Sequence, residues 1–237
     1  MIMKKFCQFL KWKGKDAKKA WKLARSGRKP FREFGLTLFT GRQGAGKTMT
    51  LVFEAERLRQ KYPNLYICSN FGYIHENEPL RELSDIANAV MKANQQESDG
   101  VLILWDEIQN DFDSFSKVSR DVLAVVTQQR KQKIKILGTS QVFTRVSKAL
   151  REQTFEVVVC NTIMGRYTRG RFYDAEEFSH NIDKPDEKRH MSRLRTVSFI
   201  QTDDLRQLYD SYAVIKTLSE RAKEEKTQSN VYVMNNG

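Results

Sequence analysis

Residues 41–48 read GRQGAGKT, a full match to the spacing GxxxxGK[ST], and few strings of eight residues restrict a fold so tightly. Such a loop must stand between a buried strand and a helix N-terminus, because successive backbone N–H groups and the positive helix end have to face one anion. Both flanks comply. Residues 34–40 (FGLTLFT) read as a short buried strand, and the stretch from Lys47 to about Lys61 reads as a helix. The bland alternative, a glycine-rich turn that binds nothing, would not need strand, loop and helix in register.

The loop chemistry suits a triphosphate. Gly41, Gly44 and Gly46 let the backbone approach the anion closely, with Gln43, Ala45 and Met49 completing the expected nucleotide-contacting set. Lys47 is expected to neutralise the β and γ phosphates, and the Thr48 hydroxyl to ligate Mg²⁺. Farther along, the apolar run VLILW ends in Asp106 and Glu107. Any buried strand can end in acids at the solvent edge of a sheet, so this pair means little alone. Combined with the loop, Asp106 is expected to hold the Mg²⁺ shell and Glu107 to orient or deprotonate an attacking water. ATP and Mg are the expected cofactors, and hydrolysis is the expected reaction.

The chain has 237 residues, 40% hydrophobic and 30% charged, which suits one sizeable soluble core. Cys7, Cys68 and Cys160 are far apart and lack CxxC spacing, so neither a disulfide framework nor a zinc site is expected. A reducing, cytoplasmic setting fits. His75, His180 and His190 have no metal-ligand spacing and are expected on loop surfaces. No stretch approaches the roughly 20 apolar residues needed to cross a bilayer, so no transmembrane segment is expected.

The formal net charge of +12 is concentrated at one end. Residues 1–32 hold twelve Lys and Arg against Asp16 alone, a net of +11, which leaves +1 for the rest of the chain. Phe6, Leu10, Ala17, Trp21 and Ala24 fall near one helical face of this arm, with Phe9 and Trp12 beside it. Three readings stay open: an arm that neutralises nucleic-acid phosphates, an amphipathic helix on an anionic membrane, or a helix packed on its own domain or a neighbouring subunit.

Past the first helix, residues 64–68 (NLYIC) read as a second strand, 83–93 as a helix, 118–131 as another, and 134–138 as a strand. A short helix over 142–150 leads to the strongest β run, 155–160 (FEVVVC). Strands alternating with helices predict a three-layer αβα sandwich on a mostly parallel sheet. Met164-Gly165 is a turn signal for a projecting β-hairpin insertion, on which Tyr167, Arg169, Arg171 and Tyr173 alternate and are candidates to touch nucleic acid. Residues 176–195, charged and containing Pro185, read as a mobile loop, and 196–201 as a last strand. An amphipathic helix is expected from Asp203 to about Ala222, capped by Thr202. The implied domains are 1–32, the basic arm; 33–222, the P-loop ATPase domain; and 223–237, a polar, disordered tail.

The absence of an NKxD tetrad argues against a GTPase, and the absence of an LSGGQ-type signature against a transporter ATPase. A strand lying between the Lys47 helix and the Asp106 strand in sequence is the order of RecA-like motor ATPases. TGRQGAGKT, CSN, ILWDEIQ, TQQRKQKIKILGTSQ, SKALREQ and LYDSY, in that order, resemble the zonular occludens toxin family, ATPases of filamentous phages, and more distantly the FtsK/HerA class of DNA-pumping motors. The resemblance spans about residues 34–215.

That resemblance implies further roles. Gln141, after the ILGTS strand, would sense the γ phosphate, and Arg151 would be the finger presented in trans to a neighbour's site, with Arg130 as the alternative. It implies a ring-shaped homo-oligomer and DNA as a partner, with portal or capsid protein as a further one. The family usually continues into a membrane span that does not follow within these residues. The expected role is therefore genome packaging into a preformed shell. Two rivals stand beside it: a membrane-associated virion assembly and secretion ATPase acting through the arm, and a small-molecule kinase, which shares the loop.

Overall fold

The computed structural model describes residues 2–25, 31–82, 84–111, 129–187 and 189–209. It opens with a long helix, α1 (Ile2–Arg25). Eight strands follow: β1 (Gly35–Thr40), β2 (Leu65–Ser69), β3 (Glu78–Pro79), β4 (Gly100–Trp105), β5 (Ile134–Ser140), β6 (Thr154–Ile163), β7 (Tyr167–Asp174) and β8 (Arg193–Ile200). Between and after them stand α2 (Lys47–Lys61), α3 (Ser84–Gln95), α4 (Gln129–Gln132), α5 (Lys148–Arg151), α6 (Ala175–Asp183) and α7 (Asp203–Arg206).

All eight strands join one sheet in the order β3-β2-β4-β5-β1-β6-β7-β8. Pairing is parallel from β3 across to β6 and antiparallel between β6, β7 and β8. The central strands β1, β4 and β5 are buried along their whole length. Their near-continuous apolar sequences follow from having helices on both faces.

Strand alternation divides the core. Leu36, Leu38, Val101, Ile103 and Trp105 point to one side, where α3, Val146, Leu150 and Ala175 pack. Phe39, Leu102, Leu104 and Leu137 point to the other, against Leu51, Val52, Ala55 and Leu58 of α2. This is the expected three-layer α/β architecture. Cys68 and Cys160 lie inside it as free thiols, each pushed up to about 12 by burial.

The expected hairpin turn forms, with Met164 (φ 51°) and Gly165 (φ 70°) both in the left-handed region. Its strands do not project, however. β7 pairs with β6 on one side and β8 on the other, so the hairpin extends the main sheet. The expected loop over 176–195 is largely ordered: α6 and the start of β8 occupy it, and His180 sits on that helix rather than in a loop. Asp174 caps the helix by accepting from the N–H groups of Glu176 (2.9 Å) and Glu177 (3.1 Å), and Phe178 packs edge-on against Phe143. Charge and Pro185 suggest a loop; the cap, two acids at the positive helix end and a half-buried aromatic packed on the core outweigh them.

The helix expected over 142–150 divides into a 3₁₀ turn, Phe143–Arg145, and α5. Thr202 caps α7 as expected, accepting from Leu205 N–H at 3.2 Å. Most of the helix expected over 118–131, and the part of the C-terminal helix beyond residue 209, lie outside the described residues.

Candidate nucleotide site

The loop expected to cradle phosphate joins the end of β1 to the start of α2. Gly46 takes a left-handed conformation (φ 81°, ψ 27°) immediately before the helix. A Cβ there would lie 2.3 Å from Thr162 Oγ1, so this position needs glycine for both torsion and space. Within the loop, Ala45 N–H returns to Arg42 C=O (3.0 Å). The N–H groups of Gly44, Gly46, Lys47 and Thr48 have no backbone acceptor among the described residues. A cradle of uncommitted donors at a helix N-terminus fits phosphate oxygens.

Because β5 lies between β1 and β4, the ends of the two motif-bearing strands are one strand apart, and side chains from the start of α2, the end of β5 and the residues just past β4 converge. Thr48 Oγ1 donates to Asp106 Oδ1 at 3.0 Å. Thr139 Oγ1, from β5, donates to the same carboxylate oxygen at 2.6 Å. Lys47 Nζ stands 4.0 Å from Glu107 Oε1, with the lysine side chain only 7% exposed. A hydroxyl and a carboxylate brought this close are hard oxygen donors, and together they fit Mg²⁺ that takes its remaining ligands from phosphate and water. Burial raises the Asp106 carboxyl above the usual range and Glu107 adds to this, against the lowering by Thr139, Thr48 and Lys47.

Glu107 is held in a strained conformation. Its φ of 51° and ψ of 47° are left-handed, uncommon outside glycine, and cost about 1–2 kcal/mol. Its N–H donates to Thr139 Oγ1 at 2.9 Å, and its carboxylate accepts from Gln109 Nε2. The strain turns the Glu107 side chain toward Lys47 while Asp106 stays beside Thr48.

Three residues that the sequence reading gave no role support this arrangement. Asn70 grips the Asp106 backbone on both sides: its Oδ1 accepts from Asp106 N–H (2.7 Å) and its Nδ2 donates to Asp106 C=O (3.0 Å). Its signal was the CSN string after β2. Thr139, in the ILGTS strand that precedes Gln141, is the residue of that strand that reaches the acids. Thr162, at the far end of β6, donates to Ala45 C=O at 3.1 Å. Since its single proton is committed there, Thr168 must donate to it (2.8 Å). Gln201 Nε2 then donates to Thr168 (2.7 Å), and Arg206 Nη2 to Gln201 Oε1 (2.9 Å) and Gly165 C=O (2.6 Å). An ordered chain of donors therefore runs from α7 to the underside of the phosphate loop.

The remaining candidates stand apart from this cluster. Gln141 is exposed and makes no hydrogen bond with Lys47, Asp106 or Glu107. Arg151 is 13% exposed, paired with Asp183 at 3.2 Å, and lies 5.4 Å from the Phe143 ring centroid. Arg130 is exposed, with its guanidinium 5.8 Å from the Phe34 ring. Gln43 is exposed and Met49 buried in the first turn of α2.

No protein-family model and no curated protein sequence matches the chain. Among solved structures, the N-terminal domain of zonular occludens toxin from Neisseria meningitidis is similar at 16% identity, with a TM-score of 0.50 over 74% of this chain and 98% of that one. The resemblance read from the motifs is thus matched by a shared fold. The genome packaging NTPase B204 from Sulfolobus turreted icosahedral virus 2, in complex with ATP-gammaS, has a TM-score of 0.46 at 11% identity, over 60% of this chain and 93% of that one. The cytoplasmic domain of the Type VII secretion ATPase EccC from Thermomonospora curvata has a TM-score of 0.42 at 13% identity, over 71% of this chain and 24% of that one.

Proposed function

We infer that this chain is a Mg-dependent ATP hydrolase that moves DNA, with packaging of a genome into a virion as its task. The observation that carries the reading is the convergence of Lys47, Thr48, Asp106 and Glu107 at the ends of β1 and β4. Support for the DNA track comes from the ordered motif resemblance.

In this reading the free N–H groups of Gly44, Gly46, Lys47 and Thr48 and the Lys47 ammonium hold the β and γ phosphates. Thr48 and Asp106 would hold the metal ion, which would supply neutralisation of phosphate charge. Glu107, aimed by its left-handed backbone, accepts the proton of the attacking water. Thr139 bridges the two acids by bonding the carboxylate of one and the backbone N–H of the other. It is well placed to register a change at either, with exposed Gln141 two residues on as the contact that reports it. In a homo-oligomeric ring a neighbour's arginine would complete the site. Arg151 would first have to leave Asp183, whereas Arg130 is already exposed.

A cytoplasmic location, portal or capsid contacts, and the division into an arm (1–32), an ATPase domain (33–222) and a tail (223–237) belong to the same reading. The deciding measurement is ATP turnover with and without double-stranded DNA at low salt. A motor hydrolyses ATP alone and faster with DNA. Turnover that appears only with a small-molecule acceptor would instead identify a kinase, and turnover indifferent to DNA would remove the motor.

A further inference from the structure

We propose that α1 is an interfacial helix that lays its apolar side into the surface of an anionic phospholipid bilayer. The helix runs 24 residues, Ile2–Arg25, or about 36 Å at 1.5 Å per residue. Its described side chains from Met3 to Lys22 are exposed, apart from half-buried Ala20, so the sheet domain does not cover its apolar side. At 3.6 residues per turn, Met3, Phe6, Phe9, Leu10, Ala17 and Trp21 share one arc, interrupted by Lys13. Lys4, Lys11, Lys15, Lys18, Lys19 and Lys22 share the opposite arc.

Both arcs have to be satisfied by one partner. A nucleic-acid backbone would neutralise the lysines yet leave Phe6 (58% exposed) and Trp21 (64% exposed) in water. A bilayer surface carrying anionic headgroups takes both, the rings at the acyl boundary and the ammonium groups among the phosphates. Cations already lie over aromatic rings along the helix: Lys15 over Trp12 at 4.4 Å, Lys13 over Phe9 at 5.9 Å and Arg25 over Trp21 at 5.1 Å. Those lysines can extend past the rings toward headgroups while their stems cover apolar surface. No described helix is long and apolar enough to cross a membrane, so α1 would lie in the interface and not span it. The proposal does not rest on the nucleotide site, and either can fail without the other.

The test is flotation of the full chain with vesicles of phosphatidylcholine alone and of phosphatidylcholine with phosphatidylglycerol. Expected is co-flotation with the anionic vesicles only, accompanied by a blue shift of tryptophan emission. That shift would arise from Trp21 on the apolar arc, since Trp105 is 2% exposed and already in the core. Phe6→Ser with Leu10→Ser keeps every charge and should abolish flotation, while the exchange Phe6→Leu with Leu10→Phe should keep it. Absence of flotation from anionic vesicles overturns the proposal, as does flotation unaffected by the serine pair. Two further results also overturn it: loss of duplex-DNA retention in the serine pair without vesicle binding by wild type, and dissociation of a wild-type oligomer by that pair, again without vesicle binding.

Discussion

Thr48 and Asp106, 58 positions apart in the chain, share a hydrogen bond of 3.0 Å, and a second hydroxyl, from Thr139, reaches the same carboxylate oxygen at 2.6 Å. A single Asp106 oxygen thus collects two donors, one from the first turn of α2 and one from the end of β5. Without a metal ion, the negative charge there is disfavoured by burial and by neighbouring Glu107.

The sign of the resulting pH effect is definite. A carboxyl whose folded value is raised favours the fold below its unfolded value, and that contribution is lost as pH rises through the raised folded value. At neutral pH without Mg²⁺ the Asp106 charge therefore opposes folding. Asp106→Asn, which keeps an acceptor for both hydroxyls, should raise the melting temperature of the nucleotide-free protein. It should also lose the further rise produced by Mg-ATP. Thermal melting of both proteins with and without Mg-ATP checks this, and a lowered nucleotide-free melting point would count against it.

Glu107→Gln keeps the Gln109 contact at one oxygen and removes the base. Hydrolysis should fall by about 10²–10⁴-fold with nucleotide binding retained. Single-turnover hydrolysis beside equilibrium binding of a fluorescent ATP analogue separates the two effects. Equal losses in both would assign Glu107 to the fold or to binding.

Thr162→Val removes the donor beneath Ala45 C=O and breaks the chain that continues to Arg206. Losing one such hydrogen bond costs about 1 kcal/mol, so ATP affinity should weaken roughly fivefold. The effect should appear in KM with kcat little changed, because the chain sets the shape of the loop and does not touch the attacking water. Thr162→Ser, which restores the hydroxyl, should recover affinity.

Glu54 is 2% exposed and receives both guanidinium branches of Arg195 at 3.1 Å, while the same guanidinium lies 3.4 Å from the Phe172 ring centroid. Arg195→Leu leaves that buried carboxylate to Arg57 alone. The expected loss is about 2 kcal/mol, below the roughly 3–5 kcal/mol of a fully buried pair, because Arg57 stays and the Arg195 side chain is 36% exposed. Urea unfolding measures it, and Glu54→Gln in the same background should restore part of the loss.

The phosphate loop, the strand before it and the helix after it were readable because their constraints are local: glycine torsions, an apolar run and a helix start lie within a few residues of one another. The terminal acids of β4 were readable for the same reason. By contrast, 176–195 looked like a loop since the groups that order it, the Asp174 cap and the Phe178 contact with Phe143, count only once the chain has folded back. The hairpin was visible as a turn, but its place inside the sheet depends on β8 pairing with β7, a choice made by burial across the whole edge.

The sequence by itself determined an α/β fold, a glycine-rich loop between strand and helix and a pair of acids, and it located the excess positive charge in the first 32 residues. Only the tertiary structure decided that β5 lies between the loop strand and the acid strand, and so that Thr139 joins the acids while Gln141 stays exposed. It also decided that Asn70, Thr162 and Gln201 support the site. Hydrophobic patterns and glycine torsions act over a few residues and are written in local order. Hydrogen bonds between strand ends depend on strand order and register, which are set by how all the apolar faces are buried at once.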